Sequence, residues 1–251
     1  MAQALISELH GKYAGKPILV IGGGPSVPAD LERVPRDYPA CVLSANQHGF
    51  LQGRFAPDYV VSVDFTFGNT REHMRDALRR FSDKPNINRW SWADYRLPEW
   101  TFGGDSGFTA IVVALILGGH PVLATGFDRR TGARRYFHEP TPPKHWVGHL
   151  PASRDNMRVQ NAKLIALSEG HAVRPMSGPM TEFFKRWDPR EVLPPPAQTP
   201  LGGQRGRPYR ILKHPVFIHP TDRLQGSTVT LTDNEARPLL AAGKIATIGA
   251  D

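Results

Sequence analysis

Cysteine is almost missing: Cys41 is the only one in 251 residues. A lone thiol excludes an intramolecular disulfide framework and a cysteine-rich zinc site together. Long hydrophobic runs are missing too. No window approaches the ~20 apolar residues that a membrane-spanning helix needs. The most apolar stretch, 110–117, lies between glycine-rich turns and reads as a core helix. The first residues show no basic segment followed by an apolar one, so no secretory signal is expected and a cytoplasmic location is the default. Nucleic-acid-binding fingerprints are absent as well. Negative charge is in deficit: 31 Lys and Arg face 23 Asp and Glu, a net charge of +8. Arginines gather at 129–130, 134–135 and 205–210. Two readings fit them: a solvated surface, or phosphate contact by the first two pairs and nonspecific nucleic-acid contact by the third.

What is present is an alternation of short apolar runs and helical patterns. At 40 % hydrophobic and 22 % charged, the composition is that of a globular protein. Its length allows one sizeable α/β domain and a small appendage. Strands are expected at 18–21, 41–44, 59–63, 121–125 and 172–176, and helices at 28–34, 70–81, 107–117 and 153–170. Within 70–81, Met74, Leu78 and Phe81 recur at helical spacing. Such alternation calls for a Rossmann-like, mainly parallel sheet with helices on both faces. That domain is expected to span 1–191. A Pro/Gly-rich linker follows at 192–208, and 209–251 forms a small C-terminal α+β module with strands at 228–231 and 245–248 around a helix at 235–242.

Parallel sheets of this kind bind ligands beyond the carboxyl ends of their strands. Gly22, Gly23, Gly24, Pro25 and Ser26 follow the first apolar strand, where glycines let backbone N–H groups approach a phosphate and the next helix aims its positive end at the same place. An ordinary turn is the plainer reading. Asn46 and Gln47 follow the second strand with amides suited to a nucleotide's sugar or base edge, or close a turn. Ser106 and Gly107 open the apolar helix, either offering an anion its terminus or reflecting simple helix capping by Asp105 or Ser106. Asp64 and Asp128 also follow strands; both could hold Mg²⁺ across a diphosphate, or Asp128 could buttress its loop. His149 stands in a stretch rich in Pro and Gly, 140–151, that reads as a lid. An imidazole there is suited to general-base work near neutral pH, against the alternative of a loop-packing histidine. His145 stands four residues earlier, but Gly148 and the neighbouring prolines argue against a helical zinc pair.

The order of these segments resembles the bacterial sialyltransferase family that uses a cytidine-monophosphate-linked sugar, with its uncharacterised relatives, including pterin pyrophosphokinase-like proteins. The family's Gly-Asn-Gly-Pro-Ser corresponds to Gly22–Ser26, its Cys-Asn-Gln-Phe to Ala45-Asn46-Gln47-His48, and its Thr-Ser-Gly to Asp105-Ser106-Gly107. Its Thr-Gly-Ile-Asp corresponds to Thr125-Gly126-Phe127-Asp128, and its His-Tyr-Ile-Gly-His to His145-Trp146-Val147-Gly148-His149. The resemblance covers roughly 16–190. It implies that His149 is the catalytic base and that Tyr136 stands where one of two phosphate-binding tyrosines is found. Arg130 takes the place of the other; a guanidinium still donates bidentate hydrogen bonds to phosphate. Gly23 and Asp105 replace an asparagine and a threonine of the family pattern. Separately, 229–243 resembles a short module of bacteriophage proteins, Val-x-Leu-Thr-x-x-Glu-Ala-x-x-Leu-x-x-Ala-Gly.

Three functions follow as expectations. The first is a nucleotide-sugar-dependent glycosyltransferase with His149 as base and no cofactor beyond its nucleotide-sugar donor, acting on a glycan or other acceptor. The second is a Mg²⁺-dependent nucleotide pyrophosphokinase using Asp64 and Asp128. The third is a phage structural or assembly protein that retains an enzyme-like fold and meets phage partners through 209–251, in the host cytoplasm or the virion.

Overall fold

The computed structural model describes residues 4–64, 73–97, 105–128, 137–138, 161, 164–165, 168, 172–193, 207–211, 228–231 and 245–247. The chain divides into two compact units, Met1–Leu97 with Thr101–Pro196, and Pro98–Trp100 with Ala197–Asp251.

The first unit is built on an eight-stranded sheet. In chain order its strands are β1 (Ala4–Leu5), β2 (Ile18–Ile21), β3 (Cys41–Ala45), β4 (Tyr59–Val61), β5 (Asn86–Asn88), β6 (Tyr95–Arg96), β7 (Val122–Thr125) and β8 (Val173–Pro175). They lie in the order β1-β6-β5-β4-β3-β2-β7-β8, and every pairing is parallel. This is the α/β, Rossmann-like architecture expected from the alternation. The central strands β2, β3 and β7 are buried at every position, including Ser44 and Thr125. A strand covered on both faces has no polar side to alternate with, which is why these segments read as continuous apolar runs.

Three helices are described: α1 (Val27–Glu32), α2 (Met74–Arg79) and α3 (Ser106–Ile116). α3 is apolar on every side, and nine of its eleven residues are buried. A helix of that composition belongs in an interior, and α3 lies against β2, β3, β4 and β7. α1 carries Val27 and Leu31 into a core with Leu19, Ile21, Val42, Leu123, Met176 and Trp187. Alternate strand residues point to opposite faces, so Leu19 and Ile21 serve α1 while Ile18 and Val20 face the other layer. α2 is shorter than the expected 70–81, whose first three residues lie outside those described. It is capped by His73, whose Nδ1 accepts from Arg75 N–H at 3.2 Å, and it buries Met74, Ala77 and Leu78 on one stripe. Of the expected helix 153–170, only Asn161, Leu164, Ile165 and Ser168 are described. No helix among the described residues is long and apolar enough to cross a membrane.

The second unit contains an antiparallel sheet of β9 (Arg207–Ile211), β10 (Thr228–Leu231) and β11 (Ile245–Thr247), with β9 in the middle. Pro208 pairs with Thr230 of β10, beyond the stretch 209–211 that β11 covers. A proline is therefore tolerated in this central strand, because its missing N–H falls outside the doubly paired part. The helix expected at 235–242 lies outside the described residues.

Candidate functional site

From β2 the chain moves outward through β3, β4 and β5 to β6, then returns to place β7 on the other side of β2. The switch in direction lies between β2 and β7, and their carboxyl ends carry Gly22–Ser26 and Gly126–Asp128. Ligands of open parallel sheets bind at such points.

The two loops are closed on each other. Gly22 N–H donates to Thr125 O at 2.8 Å, and Gly24 N–H donates to Gly126 O at 2.9 Å. Ser26 N–H donates to Asp128 Oδ2 at 2.9 Å. Gly22, Gly23 and Gly24 are all buried. A Cβ built on Gly22 would lie 2.7 Å from Gly126 O, and one on Gly24 would lie 2.1 Å from Asp128 Oδ2. The glycines are needed because two backbones meet here. This corrects the expectation of an open phosphate cradle: three of the loop's N–H groups already have protein acceptors. Among the described residues, Gly23 N–H is the loop amide without a recorded acceptor, while Gly23 O accepts from Phe137 N–H at 3.0 Å.

The helix ends are closed as well. α1 is six residues long, and the Asp128 carboxylate sits on Ser26 N–H where a phosphate oxygen was expected. Asp30, in its first turn, is 3 % exposed. Its Oδ2 accepts from Thr125 Oγ1 at 3.0 Å and Ser177 Oγ at 2.5 Å. α3 is capped by Asp105, whose Oδ1 accepts from Phe108 N–H at 3.0 Å. Carboxylates at both positive ends satisfy the orphan donors and repel a second anion. Asp105 is thus a helix cap, and Asp128 buttresses its loop.

Asn46 is different. It has φ of 51°, the only positive φ among the described non-glycine residues. Its N–H donates to Val61 O at 2.9 Å, and its carbonyl accepts from Ser44 Oγ at 2.6 Å. Nδ2 donates to Asp64 Oδ2 at 2.9 Å. The same Asp64 oxygen accepts from Ser106 Oγ at 3.1 Å, and Ser106 Oγ in turn accepts from Val63 N–H at 3.1 Å. Asn46, Asp64 and Ser106, from three separate segments, are therefore brought together at the carboxyl edge. Among the described residues, Asn46 Oδ1 is buried with no donor to it, and Ser26 Oγ is also buried without a partner. An unmet buried polar atom costs about 1–3 kcal/mol, and strained asparagines of this kind gather at functional positions. Gln47 is half-buried and begins the short 3-10 turn His48–Phe50.

One pairing at this edge was not legible beforehand. His48 Nδ1 lies 3.0 Å from His138 Nε2, and the rings stack with centroids 5.2 Å apart. With the Phe137–Gly23 hydrogen bond, it fastens residues 137–138 across the loops of β2 and β3. The available signal was position: His48 directly follows Asn46-Gln47, and His138 comes two residues after Tyr136. Arg130, Tyr136 and His149 lie outside the described residues, as do 129, 134–135 and the stretch 140–151. Among the described residues, no group of three His, Cys, Asp or Glu side chains could hold a metal ion.

No protein-family model matches the chain, and no curated protein matches it. Among solved structures, a MAf glycosyltransferase from Magnetospirillum magneticum AMB-1 is similar over 70% of this chain, with 14% sequence identity and a TM-score of 0.40. The match covers 39% of that protein's chain, so this chain spans well under half of its length.

Proposed function

We propose that the chain is a nucleotide-sugar-dependent glycosyltransferase whose donor lies along the carboxyl edge of the sheet, over Ser26, Asn46 and Ser106. The observation that carries this reading is Asn46: left-handed, pinned through its Nδ2, and holding a buried oxygen that has no donor among the described residues, just past the strand next to β2. The order of motifs along the chain supports it independently. Gly22, Gly23, Gly24 and Pro25 shape the floor, while Asn46, Gln47, Ser106 and Gly107 line one side. Since carboxylates cap both helix ends, stabilisation of the departing phosphate falls to Arg130 and Tyr136, a fixed cation and a phenolic donor. His149 takes the proton of the acceptor hydroxyl as the glycosyl bond to phosphate breaks. Asp64 and Asp128 act as positioning carboxylates, and the chemistry asks for no metal.

The test is a titration of the mono-, di- and triphosphates of cytidine, uridine, guanosine and adenosine with and without Mg²⁺, followed by assay of nucleotide release from the corresponding nucleotide sugars. Metal-independent binding of a pyrimidine nucleotide is expected. With turnover, His149→Ala is expected to abolish release while leaving affinity within about twofold. Binding that strictly requires Mg²⁺ and a triphosphate would move the assignment to a pyrophosphokinase.

A second reading has its own supporting observation. A buried glycine loop between carboxylate-capped helix ends is what a fold retained for assembly would keep, and the phage-like motif at 229–243 fits that role. Failure of every one of these mono-, di- and triphosphates to bind, with or without Mg²⁺, selects this reading over the first.

A further inference from the structure

We propose that Asp64 is a specificity-determining residue: together with Ser106 it fixes the Asn46 amide so that Oδ1 takes a hydrogen bond from a ribose hydroxyl of the bound nucleotide. The inference rests on the nucleotide-binding reading above and adds what the site demands of its ligand.

The orientation of the Asn46 side chain follows from chemistry. An ionised carboxylate only accepts, so the amide atom 2.9 Å from Asp64 Oδ2 is the nitrogen, and the oxygen is turned the other way. Asp64 is itself held, because Ser106 Oγ donates to the same oxygen at 3.1 Å while accepting from Val63 N–H. The backbone gives Asn46 no freedom either, since its N–H and C=O are both bonded, to Val61 and Ser44 Oγ. Among the described residues, the result is one acceptor with a set direction, buried and unmet. A hydrogen-bond donor seated against it would satisfy it.

Position identifies the donor. Asn46 directly follows β3, the strand next to β2, 22 residues after Gly24. In dinucleotide-binding sheets of this class, an acidic residue about 20 positions beyond the glycine loop accepts from a ribose hydroxyl; Asn46 stands at that spacing and offers an amide oxygen as the acceptor. A rigid acceptor discriminates strongly against an analogue lacking the donor, because the polar group is then left unpaired.

The experiment compares CMP, UMP, GMP and AMP with their 2′-deoxy and 3′-deoxy counterparts by calorimetric titration of the full chain. For the nucleotide that binds, one of the deoxy analogues is expected to bind at least tenfold more weakly. Asp64→Asn can donate as well as accept and so frees the Asn46 amide to turn. It is expected to compress that ratio to threefold or less while retaining affinity for the deoxy analogue. Ser106→Ala is expected to fall between, and it serves where Asp64→Asn unfolds. Ribose-blind binding by the wild-type chain overturns the inference and leaves the nucleotide-site reading standing. A ratio unchanged in a folded Asp64→Asn overturns Asp64 as its determinant. Absence of any nucleotide binding overturns both.

Discussion

The Asp128 carboxylate accepts a hydrogen bond from the backbone N–H of Ser26 at 2.9 Å, across 102 residues of sequence. That bond ties the end of β7 to the start of α1 and closes the switch point from below. It also explains Gly24, because the same carboxylate oxygen would lie 2.1 Å from a Cβ at that position. Asp128 and Gly24 are therefore one device and are expected to respond together.

Gly24→Ala is expected to destabilise the fold by about 1–3 kcal/mol, the usual range for overpacking. Asp128→Ala leaves Ser26 N–H without its acceptor and is expected to cost about 1–2 kcal/mol. The double variant is expected to lose less than the sum, since the alanine methyl then meets no carboxylate, although Gly126 O remains 2.8 Å away. Urea denaturation of the four proteins measures the coupling. Strict additivity would show that the two sites act separately.

Asp30 is expected to matter to stability more than its helical position implies. Its Oδ2 serves the hydroxyls of Thr125 and Ser177 from separate parts of the first unit, in a site 3 % exposed. Asp30→Ala is expected to lower stability by about 1–3 kcal/mol by orphaning those hydroxyls. A change under 0.5 kcal/mol would mean that both find other acceptors.

Cys41 is expected to be inert in the native state. Burial first, and then the negative charge of Asp58, push its thiol up to about 12. The thiolate is the reactive form, so labelling by a disulfide reagent at pH 8 should await unfolding. Stoichiometric reaction within minutes under native conditions would contradict this.

Glu191 links β8 to the segment that follows it, accepting from Arg174 at 2.9 and 3.0 Å and from Lys185 at 2.9 Å. Hydrogen bonds from Arg174 first, and then Lys185, hold its carboxyl down at about 2, against an ordinary 4.5. A lowered carboxyl stabilises the fold fully above the ordinary value, and that contribution fades as pH falls from about 4.5 towards 2. Most of it comes from the Arg174 pair, which is little exposed; the lysine is well exposed and adds less. Glu191→Gln is expected to cost roughly 1–2 kcal/mol at pH 7. The gap to wild type should narrow steadily below pH 4.5, as followed by urea midpoints at several pH values. A gap independent of pH would refute the charge-based account.

Much of the architecture was legible in particular residues. Ile18–Ile21 was bounded correctly, and β3, β7, β8 and α3 differ from their expected limits by one or two residues, because strands buried on both faces and a helix apolar all round leave no competing pattern. Pro28 near the helix start also fits a first-turn position. β5 was not legible: Asn86-Ile87-Asn88 has the composition of a turn, since asparagine is depleted in strands. Backbone pairing with β4 and β6 holds it, and side chains brace it, with Asp94 Oδ2 accepting from Asn86 N–H and Asn88 Oδ1 accepting from Trp90 N–H. The candidate site was legible as a set of segments but not as a set of roles.

By itself the sequence determined a parallel sheet, its central strands and the edge where loops gather, since these follow from local periodicity and from the burial that apolar runs require. Tertiary structure alone decided which polar groups at that edge were already spoken for. The Gly22 and Gly24 amides went to Thr125 and Gly126, and the helix ends went to Asp105 and Asp128. Asn46 was left with an oxygen to offer, because such hydrogen bonds form between atoms that are neighbours only after the chain has closed.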